Sequence, residues 1–382
     1  MAGTSERYDG RGPIQRRLLE LLSGYTTGSF QTSIATNSPL GPGTIRVRAV
    51  EENGKTSVLA GEAVTEWLGS QPGVEEVAWR IPYVHVRFET DVLREWVNEG
   101  TRAGESGRGH EGDGREAVIG AAGLETGRPR SLEEFRRTAL ARAAGALMGS
   151  RGFQVSLRES SEESAWIELP PASPATAINI AGVDVKNGPM RARHGGTILV
   201  ADLVADVRRG SLSLGELEPE PEEAEALGEA LVTFLLARVE RERRVVLDDR
   251  AIRGGALELG TILLAARLAS SRAEGVQRGV RAGGAEGGGS GGSEAEGVVS
   301  ENGADESVRA LASHVEWFSG VAARAAAQLE PALLIRYAVS LADLIGEASG
   351  PLAPEDGIWE ASAHALRGAL ALAGIDPSGP EA

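Results

Sequence analysis

RALASHVEWFSGVAARAAAQLEPALLIRYAVSLADLIGEASG, Arg309 to Gly350, and WEASAHALRGALALAGIDP, Trp359 to Pro377, are the stretches whose reading decides the fold. Leu333, Leu334, Tyr337, Leu341 and Leu344 recur at the spacing of one helical face, and Leu366, Leu370 and Ala373 do so again. Pro331 falls where a first helical turn tolerates it, and Gly350-Pro351 ends the run. Spacing alone implies a helical bundle with short connections. Trp317 and Phe318 read as core of its first helix, with RNA stacking as the competing role.

Composition limits the rest. A chain of 382 residues has room for two or three domains. It contains no cysteine, which removes disulfides, thiolate chemistry and Cys-based zinc sites. The start, MAGTSERYDGRGP, has no apolar run behind a basic tip, and no stretch is apolar enough for a membrane span, so a soluble cytoplasmic protein is expected, without membrane partners. A formal charge of −16 argues against non-specific polyanion binding, which draws on clustered cations to release counterions. From Ser307 onward four arginines, Arg309, Arg324, Arg336 and Arg367, face nine Asp and Glu, so any RNA contact there must be a local patch. His110, His194, His314 and His364 share no metal-like spacing, and His85 reads as an ordinary strand histidine. The acidic run LEPEPEEAEALGE reads as a solvated helix entry.

Two Gly-rich stretches divide the chain. Arg102 to Arg128 is charged and lacks a sustained apolar period, and eleven of the twenty-nine residues from Gly275 to Gly303 are glycine, so both read as linkers. Before the first, the helical PIQRRLLELLSG and VLAGEAVTEWLGS alternate with the strands GTIRVRAV and YVHVRFET, an α+β module. Between the linkers, SLEEFRRTALARAAGALMGS opens with Ser131 as a helix cap, and FQVSLRES and AWIELP follow as strands.

LEPALLIRYAVSLADLI and ALRGALALAGI, in this order near the C-terminus, resemble the anticodon-binding (DALR) domain of arginyl-tRNA synthetases. VEEVAWRIPYVHVRFETDVLREWVNEG is similar to the family's additional N-terminal domain, with Arg80, Ile81 and Pro82 where the family has Pro-Gly-Phe. Class I synthetases carry P-x-H-x-G-H at a turn from strand to helix, where two histidines stabilise the phosphates of ATP. In VKNGPMRARHGGTILVADLVADV, Pro189, His194 and Asp202 stand at matching positions, while Arg191 replaces the first histidine, Arg193 the glycine, and Gly196 a customary arginine. Lys186 sits where enzymes with a degraded K-M-S-K-S loop keep a compensating lysine; no lysine follows it. ERRVVLDDRAIRGGALELGTILLAARLAS resembles the approach to the anticodon domain, with Gly255 and Arg267 at its ends, but Gly260, Ile262 and Leu263 occupy the positions of the substrate-reading tyrosine and glutamine.

The resemblance implies a predominantly helical α+β fold: an N-terminal module over 1–103, a linker over 104–130, a truncated class I Rossmann remnant over 131–272, a Gly-rich disordered linker over 273–306 and the anticodon-binding domain over 307–382. It implies tRNA, tRNA-Arg in particular, as the partner, with Arg267, Arg336, Arg367 and Trp359 offering charge and stacking. Aminoacylation is expected to be lost, with no cofactor retained. Two alternatives stand beside this: a working ATP-dependent arginine-tRNA ligase using Lys186, Arg191 and His194, and a scaffold that binds a protein partner without RNA.

Overall fold

The computed structural model describes residues 12–25, 29–34, 38–40, 44–50, 58–104, 116–121, 132–159, 165–168, 192–193, 197–200, 205–206, 222–240, 245–246, 249–282, 301–349, 352 and 358–376. The N-terminal module comprises α1 (Pro13–Tyr25), β1 (Ser29–Ile34), β2 (Thr44–Val50), α2 (Val58–Gly69), β3 (Val74–Arg80), β4 (Tyr83–Phe88) and α3 (Thr90–Gly104). Its strands form an antiparallel sheet in the order β1-β2-β4-β3. Ile45 and Val47 on β2 and Val84, Val86 and Phe88 on β4 take the alternating positions that face the helices, where Ile14, Leu18, Leu22, Leu93 and Val97 complete the core.

The middle of the chain builds a five-stranded mixed sheet in the order β6-β5-β7-β9-β8. β5 (Glu116–Ala121), α4 (Leu132–Ser150) and β6 (Gln154–Glu159) make a strand–helix–strand unit whose strands pair in parallel. The strands β7 (Ala165–Glu168), β9 (Thr197–Val200) and β8 (Ala192–Arg193) extend it antiparallel. A short parallel pair, β10 (Ala205–Asp206) with β11 (Val245–Val246), lies on either side in sequence of α5 (Glu222–Ala237). Two sequence expectations change here. The expected linker 104–130 contains β5, which lies between β6 and β7 and whose Ala117, Ile119 and Ala121 are fully buried; at six residues it is too short to stand out from its glycine-rich, charged neighbours. And Arg193, expected at a turn from strand to helix, lies on β8, which pairs antiparallel with β9.

The C-terminal half is a bundle of α6 (Asp249–Ala282), α7 (Glu301–Gln328), α8 (Ala332–Ala348) and α9 (Ile358–Leu372). Pro331 begins α8 with φ −65°, and Leu334, Ile335, Tyr337, Ala338, Leu341 and Ile345 form its buried face. The expected linker 273–306 is shorter than its composition suggests: α6 runs on to Ala282 and α7 begins at Glu301, because Ala, Glu, Gln and Arg among the glycines sustain helix. One hydrophobic core runs through the N-terminal module, α4 and the bundle. Its seams are specific. The carboxylate of Glu316 on α7 accepts the backbone N–H groups of Ile14 and Gln15, both at 2.8 Å, and so caps α1 from 302 and 301 residues away. Arg309 pairs with Glu75 at 2.7 Å, and Gly374, at φ +80°, lets the end of α9 lie against the backbone of Ala143 on α4.

Candidate nucleic-acid interface

Arg336 on α8, Arg367 on α9 and Arg267 on α6 all present exposed side chains. Trp359, matched with them for stacking, is 0% exposed and cannot offer a face to a base. Its partner is internal. The Arg272 guanidinium lies 4.7 Å from the centre of the indole and donates to the carbonyls of Ser349, at 2.6 Å, and Leu352, at 3.0 Å. Trp359 thus holds a cation at the carbonyl end of α8, a structural use of an aromatic face.

The exposed indole of the bundle is Trp317, 45% accessible and not core as its neighbourhood in sequence suggested. It meets the His314 ring edge to face, with centroids 5.6 Å apart. His314 in turn stacks on buried Tyr337 at 5.0 Å, and the Tyr337 hydroxyl donates to the His314 carbonyl at 3.0 Å. Burial lowers the His314 pKa from its ordinary value, the Tyr337 hydrogen bond opposing it, so the ring is a neutral aromatic support at physiological pH. Phe318, tilted against Tyr337 at 5.5 Å, sits at the crossing of α7 and α9, where a Cβ on Gly368 would come 2.9 Å from its ring. Trp317, Arg336 and Arg367 are therefore each one residue from a member of this junction: Phe318, Tyr337 and Gly368. Arg324 lies seven residues beyond Trp317 on the same face of α7, about 10 Å along the axis. The helices α7, α8 and α9 thus carry one exposed indole and three exposed guanidinium groups, the residue types that single-stranded RNA recognition uses. Arg336 also pairs with Glu240 at 3.3 Å, a half-exposed contact that a phosphate can displace.

Of the residues matched to the ATP motif, Lys186, Pro189, Arg191, His194 and Asp202 lie outside the described residues. Among the described residues no cluster of three His, Asp or Glu could hold a metal ion, and no helix is long and apolar enough to cross a membrane. Gly255 is demanded by packing, since a Cβ there would run into Leu235 on α5. Ile262 is buried and Leu263 half-buried, so neither presents a polar group to a substrate. His85 is buried beside Ser38, 3.2 Å from its hydroxyl; burial first, then Arg46 and Arg80, lower its pKa, as befits a packed strand histidine.

No protein-family model and no curated protein matches the chain. Among solved structures it is similar to the arginyl-tRNA synthetase of Thermus thermophilus, with a TM-score of 0.52, over 96% of this chain and 100% of that one. Identity is 10%, so what the two share is the fold.

Proposed function

We propose that this chain binds tRNA, tRNA-Arg in particular, through α7, α8 and α9, on an arginyl-tRNA synthetase-like fold that has lost aminoacylation. The likeness of fold over 96% of the chain carries the reading, and exposed Trp317, Arg324, Arg336 and Arg367 on these helices support it. The loss of activity rests on the strand–helix–strand unit. Nucleotides bind at the carboxyl ends of parallel strands, where the chain passes from strand to helix. Between β5 and α4 the chain reads AGLETGRPRS, residues 122–131, with Arg128 and Arg130 but no histidine to stabilise a triphosphate. No cofactor is then required, and the protein acts where tRNA is, in the cytoplasm.

Gel retardation of tRNA by the purified protein tests the reading. Retardation at micromolar protein and low salt, weakened by Trp317→Ala, is the expected result. No retardation removes tRNA binding and leaves the scaffold reading. Arginine-dependent exchange of pyrophosphate into ATP is expected to be absent, and its presence would restore the ligase reading.

A further inference from the structure

Helix α6 has two faces. Leu259, Ile262, Ala266 and Ala269 are buried against the bundle. On the opposite side Leu257 is 73% exposed and Leu264 68%, with Gly260 between them. Leu257, Gly260 and Leu264 follow the alternating three- and four-residue spacing of a helix seam, and the same spacing continues to Arg253 on one side and Glu274 on the other. All of these are exposed, as is Arg250. Gly260 adds a second observation. Glycine inside a helix is less favourable than alanine, and at Gly255 the admission of Leu235 accounts for it. At Gly260 an added Cβ would meet nothing within 4 Å, so nothing described in the chain calls for its smallness.

We infer that this face of α6 is a self-association surface, on which a second copy of the chain docks its own α6 antiparallel. The charges select the occupant and its direction. The stripe is basic at Arg250 and Arg253 and acidic at Glu274. A parallel copy would set like charges together; a reversed copy sets opposite ones together. Pairing Arg250 with Glu274 of the second copy centres the two-fold axis on position 262. That same register lays Leu264 over Gly260 of the second copy, a large side chain into the space left by a small one. One register satisfies the charges and the shapes together, as an isologous interface requires. Arg267 then lies along Leu257 of the second copy, covering it with its aliphatic stem. The surface is distinct from the α7–α9 junction and does not depend on RNA.

The test uses the full-length, nuclease-treated protein. Sedimentation over a range of concentrations should show a monomer–dimer equilibrium, and Leu257→Glu with Leu264→Glu should shift it to monomer while leaving the circular dichroism unchanged, because both side chains are exposed. The absence of cysteine from the chain makes orientation measurable. Oxidised Arg250→Cys/Glu274→Cys protein should form a disulfide-linked dimer. Each single substitution should not, since in the antiparallel pair identical positions are about 36 Å apart along the axis, beyond the reach of a disulfide. A monomer at every concentration, or single-cysteine variants that cross-link as readily as the double variant, would overturn the inference.

Discussion

Replacing Glu316 by glutamine asks what holds the N-terminal module on the bundle. The side chain is fully buried, with its two oxygens each 2.8 Å from a backbone nitrogen at the start of α1. Burial pushes its pKa from 4.5 up to about 7, the N–H groups of Gln15 and Ile14 and the charge of Arg16 opposing the rise. Each tenfold change in proton affinity corresponds to about 1.4 kcal/mol, so the folded protein holds this proton more tightly than the unfolded chain by about 3 kcal/mol. Because the folded pKa is the higher one, the contribution is fully present below about pH 4.5 and is lost as pH rises through 7. Glutamine keeps one acceptor and cannot ionise. Glu316→Gln should therefore match the native protein at low pH and exceed its stability by up to about 3 kcal/mol at pH 8. Urea denaturation of both proteins at intervals from pH 4.5 to 8 measures this, with hydrogen exchange of the α1 amides locating it. The difference between the two curves cancels the other carboxylates of a chain with charge −16. A difference that is flat with pH, or a native protein that gains on the variant as pH rises, would show that the helix N-terminus outweighs the lost hydration and would refute the argument.

The two tryptophans of the bundle should separate by assay. Trp359→Ala should cost about 3–5 kcal/mol of stability and free Arg272, as read by denaturation. Trp317→Ala should leave stability nearly unchanged and weaken tRNA retardation about 5- to 150-fold, the range expected for one stacked base at ~1–3 kcal/mol. Gly255→Ala forces Leu235 aside and should destabilise by about 1–3 kcal/mol, whereas Gly260→Ala, in open space, should stabilise an isolated monomer by up to about 1 kcal/mol; thermal unfolding distinguishes the two.

The helices of the bundle and the N-terminal strands were legible because their buried residues repeat with a clear period, as Leu334, Tyr337, Leu341 and Ile345 do on α8. β5 was not, because a six-residue strand of small side chains gives little signal, and its glycine-rich flanks resemble a linker. The Trp317 position had a signal that went unused. Val308, Leu311, Val315, Ala322 and Ala325 define the buried face of α7, and Trp317 falls off that series. Trp359 could not be assigned this way, since α9 is buried at Ile358, Trp359, Ala361, Ala363 and Ala365 and has little free circumference. The seam at Glu316 was beyond sequence reasoning altogether: a carboxylate between Val315 and Trp317 looks like an exposed residue until its partner, at the other end of the chain, is known.

If the chain binds tRNA as proposed, these seams bear on how an acidic chain holds a polyanion. With four arginines against nine carboxylates from Ser307 onward, counterion release supplies little attraction, and recognition must come from stacking and from where a few cations stand. Such contacts gain only if they are held in place before RNA arrives, since ordering them on binding costs free energy. The His314–Tyr337 stack fixes the ring packed against Trp317, and the Phe318–Gly368 crossing sets the distance between α7 and α9. Glu316 and Arg309 then join the N-terminal module to the same helix that carries Trp317. Under the proposed reading, the N-terminal module and the helices α7–α9 would then meet tRNA as one body, and a substitution that loosens the Glu316 seam should weaken retardation even though it touches no RNA.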